Sequence, residues 1–111
     1  MNVETTPLDG VFKALSDPTR RAVVSRLCRG PSAVKELAKP FGMALPSFMQ
    51  HLKVLEECGL VHSEKSGRVR TYWVVPARLN VVTNWLDEQR ALWEQRLNQL
   101  DDYLLSIEEQ K

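Results

Sequence analysis

The fold is decided between Ser32 and Cys58, where the chain reads SAVKELAKPFGMALPSFMQHLKVLEEC. Ser32 can cap a short helix that holds Val34, Leu37 and Ala38, and Pro40 ends it. Gly42 stands in the turn that follows. A longer helix then runs from about Ala44 to Cys58. Pro46 is tolerated in its first turn, and Gly59 is a typical terminator. Phe48, Leu52 and Leu55 follow one another at helical spacing and share one apolar face. A short helix, a tight turn and a second helix make a helix-turn-helix. With the inward positions taken, Ala44, Ser47, Gln50, His51 and Lys53 fall on or near the outward face.

Downstream, Leu60 to Lys65 is strand-like, Ser66-Gly67 reads as a two-residue hairpin turn, and Val69 to Val75 is rich in β-branched and aromatic residues. Both faces of that second strand carry apolar groups, so alternation does not choose its core face. Lys65, Arg68 and Arg70 surround the hairpin tip. Upstream, Leu8, Val11, Phe12 and Leu15 line one side of a short helix. Asp17 can cap the next helix and Pro18 suits its first position. Val23, Val24 and Leu27 form that helix's stripe, and Gly30-Pro31 stops it.

The last third is a long helix. Leu86, Trp93, Leu100 and Ile107 recur every seven residues. Leu97 and Leu104 fill the alternate row, which Arg90 interrupts. This spacing makes a narrow apolar seam. It packs either within the chain or against a second copy. The rest of the domain is too small to cover it, which favours a shared dimer interface through Leu86, Trp93, Leu97, Leu100 and Leu104. The sequence therefore predicts a mainly α fold with a two-stranded β-hairpin: a dimeric winged helix-turn-helix with a long C-terminal helix. Residues 1–111 form one domain, with N-terminal helices at 8–31, helix-turn-helix at 32–58, wing at 60–75 and dimerisation helix at 77–108.

Charge points the same way. The net charge of the 111 residues is only +1. Residues 1–78 hold 12 Lys/Arg against 7 Asp/Glu, and residues 79–111 hold 3 against 7. Two paired chains would gather a basic N-terminal surface suited to a polyanion. The second helix of a helix-turn-helix enters a DNA major groove while the wing reaches backbone or minor groove. Ser47 permits close approach, Gln50 can donate and accept together at an adenine edge, and Lys53 suits a phosphate. His51 either touches the duplex or bonds within the domain. Arg68 is the foremost wing contact.

Met1 to Pro7 is polar with no basic-then-apolar signal, and no apolar run reaches the ~20 residues of a membrane span. Two cysteines, Cys28 and Cys58, are too few for a disulfide framework. The expectation is a cytoplasmic protein without membrane attachment. No Gly-rich phosphate loop, carboxylate pair or Ser/His/Asp set is present, so the reading is not an enzyme. Two rivals stay open. One is a winged helix used for protein contact, hinted at by Met49 and Trp73. The other is the same regulator with a redox-active thiol, since Arg26 and Arg29 flank Cys28.

The segments Phe12–Arg21 (FKALSDPTRR), Leu45–Leu55 (LPSFMQHLKVL), Gly59–Val61 and Gly67–Tyr72 resemble the ArsR family of winged-helix repressors over roughly residues 8 to 105. The resemblance implies a homodimer built on the first and last helices, adding Leu8, Val11 and Phe12 to the interface. It also implies an autoregulated repressor on an imperfect palindrome of double-stranded DNA. Metal-sensing relatives carry a cysteine motif in the third helix, or Asp and His on the last. Here Ser32–Ala38 has no cysteine and residues 79–111 no histidine. Neither familiar metal site is expected, nor any cofactor. Trp85, Arg90, Trp93, Glu94, Arg96, Leu97, Leu100, Tyr103 and Leu104 resemble a branch that does not sense metals. A small-molecule effector, if there is one, is not readable from the sequence.

Overall fold

The computed structural model describes residues 6–109. Of the polar opening segment, residues 1–5 lie outside the described residues. The elements are α1 (Pro7–Leu15), α2 (Pro18–Leu27), β1 (Ser32–Ala33), α3 (Val34–Ala38) with a 3-10 turn at Lys39–Phe41, α4 (Leu45–Glu57), β2 (Val61–Ser66), β3 (Val69–Val74) and α5 (Pro76–Glu109).

Local chemistry explains most boundaries. The Asp9 carboxylate accepts from the Thr6 N–H at 2.8 Å and starts α1. Asp17 accepts from the Arg20 N–H at 3.0 Å, with Pro18 at the first position of α2. Capping by Asp17 thus agrees with its expected role. Ser32 does not. It sits in β1, and its hydroxyl donates to the Ala33 carbonyl at 3.1 Å, while Ala33 precedes α3 without a side-chain cap. Gly42 turns between the two helices at φ 61, a left-handed angle that a Cβ would strain.

The hairpin is a three-stranded sheet, ordered β1-β3-β2. The third strand was not legible in sequence, because it is only two residues long and pairs Ser32 with Tyr72 and Ala33 with Thr71. The tip is also displaced by one residue. Ser66 pairs with Val69, leaving Gly67-Arg68 as the turn. Gly67 has φ 62 and Arg68 a negative φ, which fits a turn with glycine at its first central position.

The core is Val11, Ala14, Val23, Val24, Leu27, Leu37, Phe48, Leu52, Leu55, Leu60, Val61 and Tyr72. Each large side chain among them contributes about 1.5–3 kcal/mol by leaving water. All lie before α5. That helix has 34 residues, about 50 Å at ~1.5 Å per residue. Only its first turns, at Leu79 and Val82, pack against the core. The described chain therefore measures 77 × 35 × 23 Å.

Candidate nucleic-acid interface

Phe48, Leu52 and Leu55 are fully buried and fix the inward face of α4. The Phe48 ring also stacks, tilted, on Phe41 of the 3-10 turn, with centroids 5.2 Å apart. The helix-turn-helix is thereby held as one unit. The opposite face of α4 is open. Ala44, Ser47, Gln50 and Lys53 are all exposed. Ser47, Gln50 and Lys53 follow at three-residue steps and form one polar stripe. Lys53 lies 3.9 Å from Glu57, and both side chains are about two-thirds exposed, so the pair is loose enough to exchange for a phosphate. Leu45 and Met49 are also exposed beside this stripe.

His51 takes the inward of its two readings at one nitrogen. The residue is half-buried, and Nδ1 lies 3.3 Å from Arg20 Nη1 and 3.7 Å from Asp17 Oδ2. The Arg20 backbone N–H chiefly, helped by the charges of His51 and Arg20, holds the Asp17 carboxyl below its ordinary value against the opposing loss of hydration. Arg20 itself was not singled out in the sequence. No local signal shows a side chain reaching from α2 back to the end of α1 and across to α4.

The wing sorts its residues by period two. Val61, Ser63 and Lys65 face the same way as their partners Val74, Tyr72 and Arg70. This is the core side, since Val61, Ser63 and Tyr72 are buried. Arg70 accordingly points inward as it leaves the tip. It is half-buried and donates to Ser63 Oγ at 2.9 Å, which in turn donates to Glu56 of α4 at 2.7 Å. Arg70, expected at the groove, thus also braces the wing against α4 through Ser63. Burial, and then the Glu56 charge, push the Tyr72 hydroxyl up beside this brace. Lys65 shares the face but projects beyond the core and is exposed, as is Arg68 in the turn. A shallow cavity of about 260 Å³ joins the wing to α3 and is lined in part by Arg68, Val69, Lys35 and Glu36. Lys35 thus joins the basic surface, a neighbour that sequence spacing does not reveal. On the other face His62 packs edge-on against Trp73 at 4.9 Å.

The expected pairing surface divides. Leu86, Trp93, Leu97, Leu100 and Leu104 of α5 are all exposed, Trp93 by 64%. Phe12 is exposed and meets Trp85 edge-on at 5.8 Å, tying α1 to α5. Leu8 is half-buried. Val11 is 0% exposed and belongs to the protomer's own core, so it offers nothing to a second chain. Cys28 is exposed, whereas Cys58 is half-buried and its thiol donates to the Leu55 carbonyl at 3.3 Å. Arg26 is committed to the Gly30 carbonyl at 3.2 Å. Among the described residues, no three His, Cys, Asp or Glu side chains gather as a metal site, and no helix is long and apolar enough to cross a membrane.

Comparison with known proteins places this geometry. A family model described as a helix-turn-helix domain matches residues 15–64. The HTH-type transcriptional regulator Rv2034 of Mycobacterium tuberculosis is 43% identical over 71% of this chain and 74% of its own length. The transcriptional repressor SdpR of Bacillus subtilis is 30% identical over 71% of this chain and 88% of its own. Among solved structures, an ArsR family transcriptional regulator superposes with a TM-score of 0.78 at 55% identity, covering 80% of this chain and 98% of that one. An ArsR-like regulator from Rhodococcus superposes with a TM-score of 0.80 at 34% identity, covering 90% and 92%.

Proposed function

The chain belongs to the ArsR family of winged helix-turn-helix transcriptional regulators, and from that premise we propose that it acts as a metal-independent homodimer reading an imperfect palindrome. It is a DNA-binding transcriptional repressor by family. One observation carries the finer reading. A polar stripe on α4 and a basic wing tip stand exposed on the same head, while Phe48, Leu52 and Leu55 on the other side of α4 are fully buried. Ser47 and Gln50 read base edges in the major groove, and Lys53, Lys65 and Arg68 take phosphates or the minor groove. Ala44 lets the backbone approach.

Pairing through α5, Phe12 and Leu8 sets two copies of α4 about 34 Å apart, one turn of the duplex. The exposed apolar row of α5 supports this, since an isolated chain leaves it in water. Metal independence is supported by the donor set: no cysteine in α3 and no histidine in α5. The repressor acts in the cytoplasm, by occupying its promoter. The test is selection of bound fragments from genomic DNA, then mobility shifts at several salt concentrations. The expected product is a palindrome with half-sites about 10 bp apart, bound ~10³–10⁵-fold more weakly at 200 than at 50 mM salt. Recovery of no preferred sequence would remove the assignment of Ser47 and Gln50 as readers.

A further inference from the structure

Arg20 joins three helices. Its Nε donates to the Ala14 carbonyl at 2.7 Å and its Nη2 to the Lys13 carbonyl at 3.2 Å, both at the end of α1. Its Nη1 meets Nδ1 of His51 on α4 at 3.3 Å. A guanidinium can only donate, and it keeps its charge at any ordinary pH. Nδ1 must therefore accept, and the proton of the neutral imidazole resides on Nε2. One neighbour favours the opposite arrangement. Asp17 Oδ2 is 3.7 Å from the same Nδ1, and would accept a proton from it. That oxygen is outside hydrogen-bond reach and already accepts the Arg20 N–H at 3.0 Å. Arg20 wins on distance. Among the described residues the far nitrogen, Nε2, has no hydrogen-bond partner. Among the described residues no buried side-chain nitrogen or oxygen lacks one, so Nε2 reaches solvent. His51 stands one helical turn after Ser47, on the flank of the exposed stripe.

We propose that Arg20 is a positioning residue for DNA binding: it locks His51 in the Nε2–H tautomer and so presents a hydrogen-bond donor to a phosphate oxygen beside the Ser47 edge of α4. This rests on the reading of α4 as the recognition helix. A free imidazole has two tautomers, and the wrong one turns a lone pair toward the phosphate. The two carbonyls of α1 keep the guanidinium in place, so the choice is made before DNA arrives.

The test is a double-mutant cycle with a spectroscopic arm. Arg20→Met keeps the length and removes every donor. His51→Gln puts an amide N–H near the position of Nε2 and has no tautomers. Affinity is measured for a mixed-sequence duplex of ~30 bp, about three turns, at about pH 8. Arg20→Met is expected to weaken binding ~10-fold in the wild-type background, the size of one charge-assisted hydrogen bond. In the His51→Gln background the same change should cost under ~2-fold, because coupled residues are not additive. Long-range proton–nitrogen spectra of the free wild-type protein should show His51 Nδ1 unprotonated, an observation that needs no variant to fold. Equal losses in both backgrounds, or a protonated Nδ1 in the wild type, overturn the proposal while leaving α4 as the DNA helix. A wild-type chain that binds no duplex overturns that reading and this one together.

Discussion

Residues 11–74 and residues 85–107 use apolar side chains in opposite ways. In the first span Val11, Phe48, Leu52, Leu55 and Leu60 are sealed from water by one another. In the second, ten large apolar residues from Trp85 to Ile107 stand 40% exposed or more, and nothing in α5 is buried. The head closes its own core. The tail helix carries a comparable apolar load without a surface to cover it. An isolated helix gains little from propensity alone and needs tertiary contact on its apolar side. The difference supports the proposed division of roles, with contacts to DNA on the head and pairing of copies through the tail.

Changing each region should therefore break a different property. The largest effect is expected from Leu97→Glu, which places a charge in the α5 seam. Sedimentation should show monomers, and affinity for a two-half-site duplex should fall by ~10² or more as the second contact is lost, with the head still folded. A variant that stays dimeric shows that the seam is elsewhere. Next comes Leu52→Ala, which opens the head core and should cost about 2–5 kcal/mol in urea unfolding. Its α5 pairing should survive wherever the head remains folded.

Within the head the comparison sharpens to readers against anchors. Gln50→Ala should cost ~1–3 kcal/mol on the selected site and relax base preference there. Arg68→Ala should weaken all sequences alike and lower the salt slope by ~1. Small, equal effects of both on random DNA would remove Gln50 as a reader. The smallest effect belongs to Asp17→Asn, which keeps a capping oxygen and deletes the charge. The Asp17 carboxyl is held below its ordinary value of 3.8, so its charge stabilises the fold above that pH and ceases to do so as pH falls through the lowered value. The wild-type advantage in thermal unfolding should be present near neutrality and vanish in acid. An advantage that persisted in acid would point to the cap's shape and not its charge.

Much of this head was legible because its signals are local. The spacing of Phe48, Leu52 and Leu55 names the inward face of α4, and so leaves Ser47, Gln50 and Lys53 outside. Asp17-Pro18 marks a helix start by chemistry that acts within one turn. The errors occur where a distant partner decides. Ser32 looked like a cap until β3 claimed it as a strand partner. Spacing places Arg70 at the hairpin tip, and only the sheet register shows that it also holds Ser63 and, through it, Glu56. Val11 shares a helix face with Leu8, yet the core takes Val11 whole and leaves Leu8 half-buried.

The order of elements, the apolar face of each helix and the chemistry available at α4 and at the hairpin tip follow from the residues in line. Periodicity, caps and turn residues act over a few positions, and a linear reading can follow them. Packing settles which face of β3 is core, which basic residues hold partners within the chain and how Arg20 reaches His51 from 31 positions away. Those outcomes depend on burial and on hydrogen bonds between elements, and neither exists until the helices and the sheet have packed.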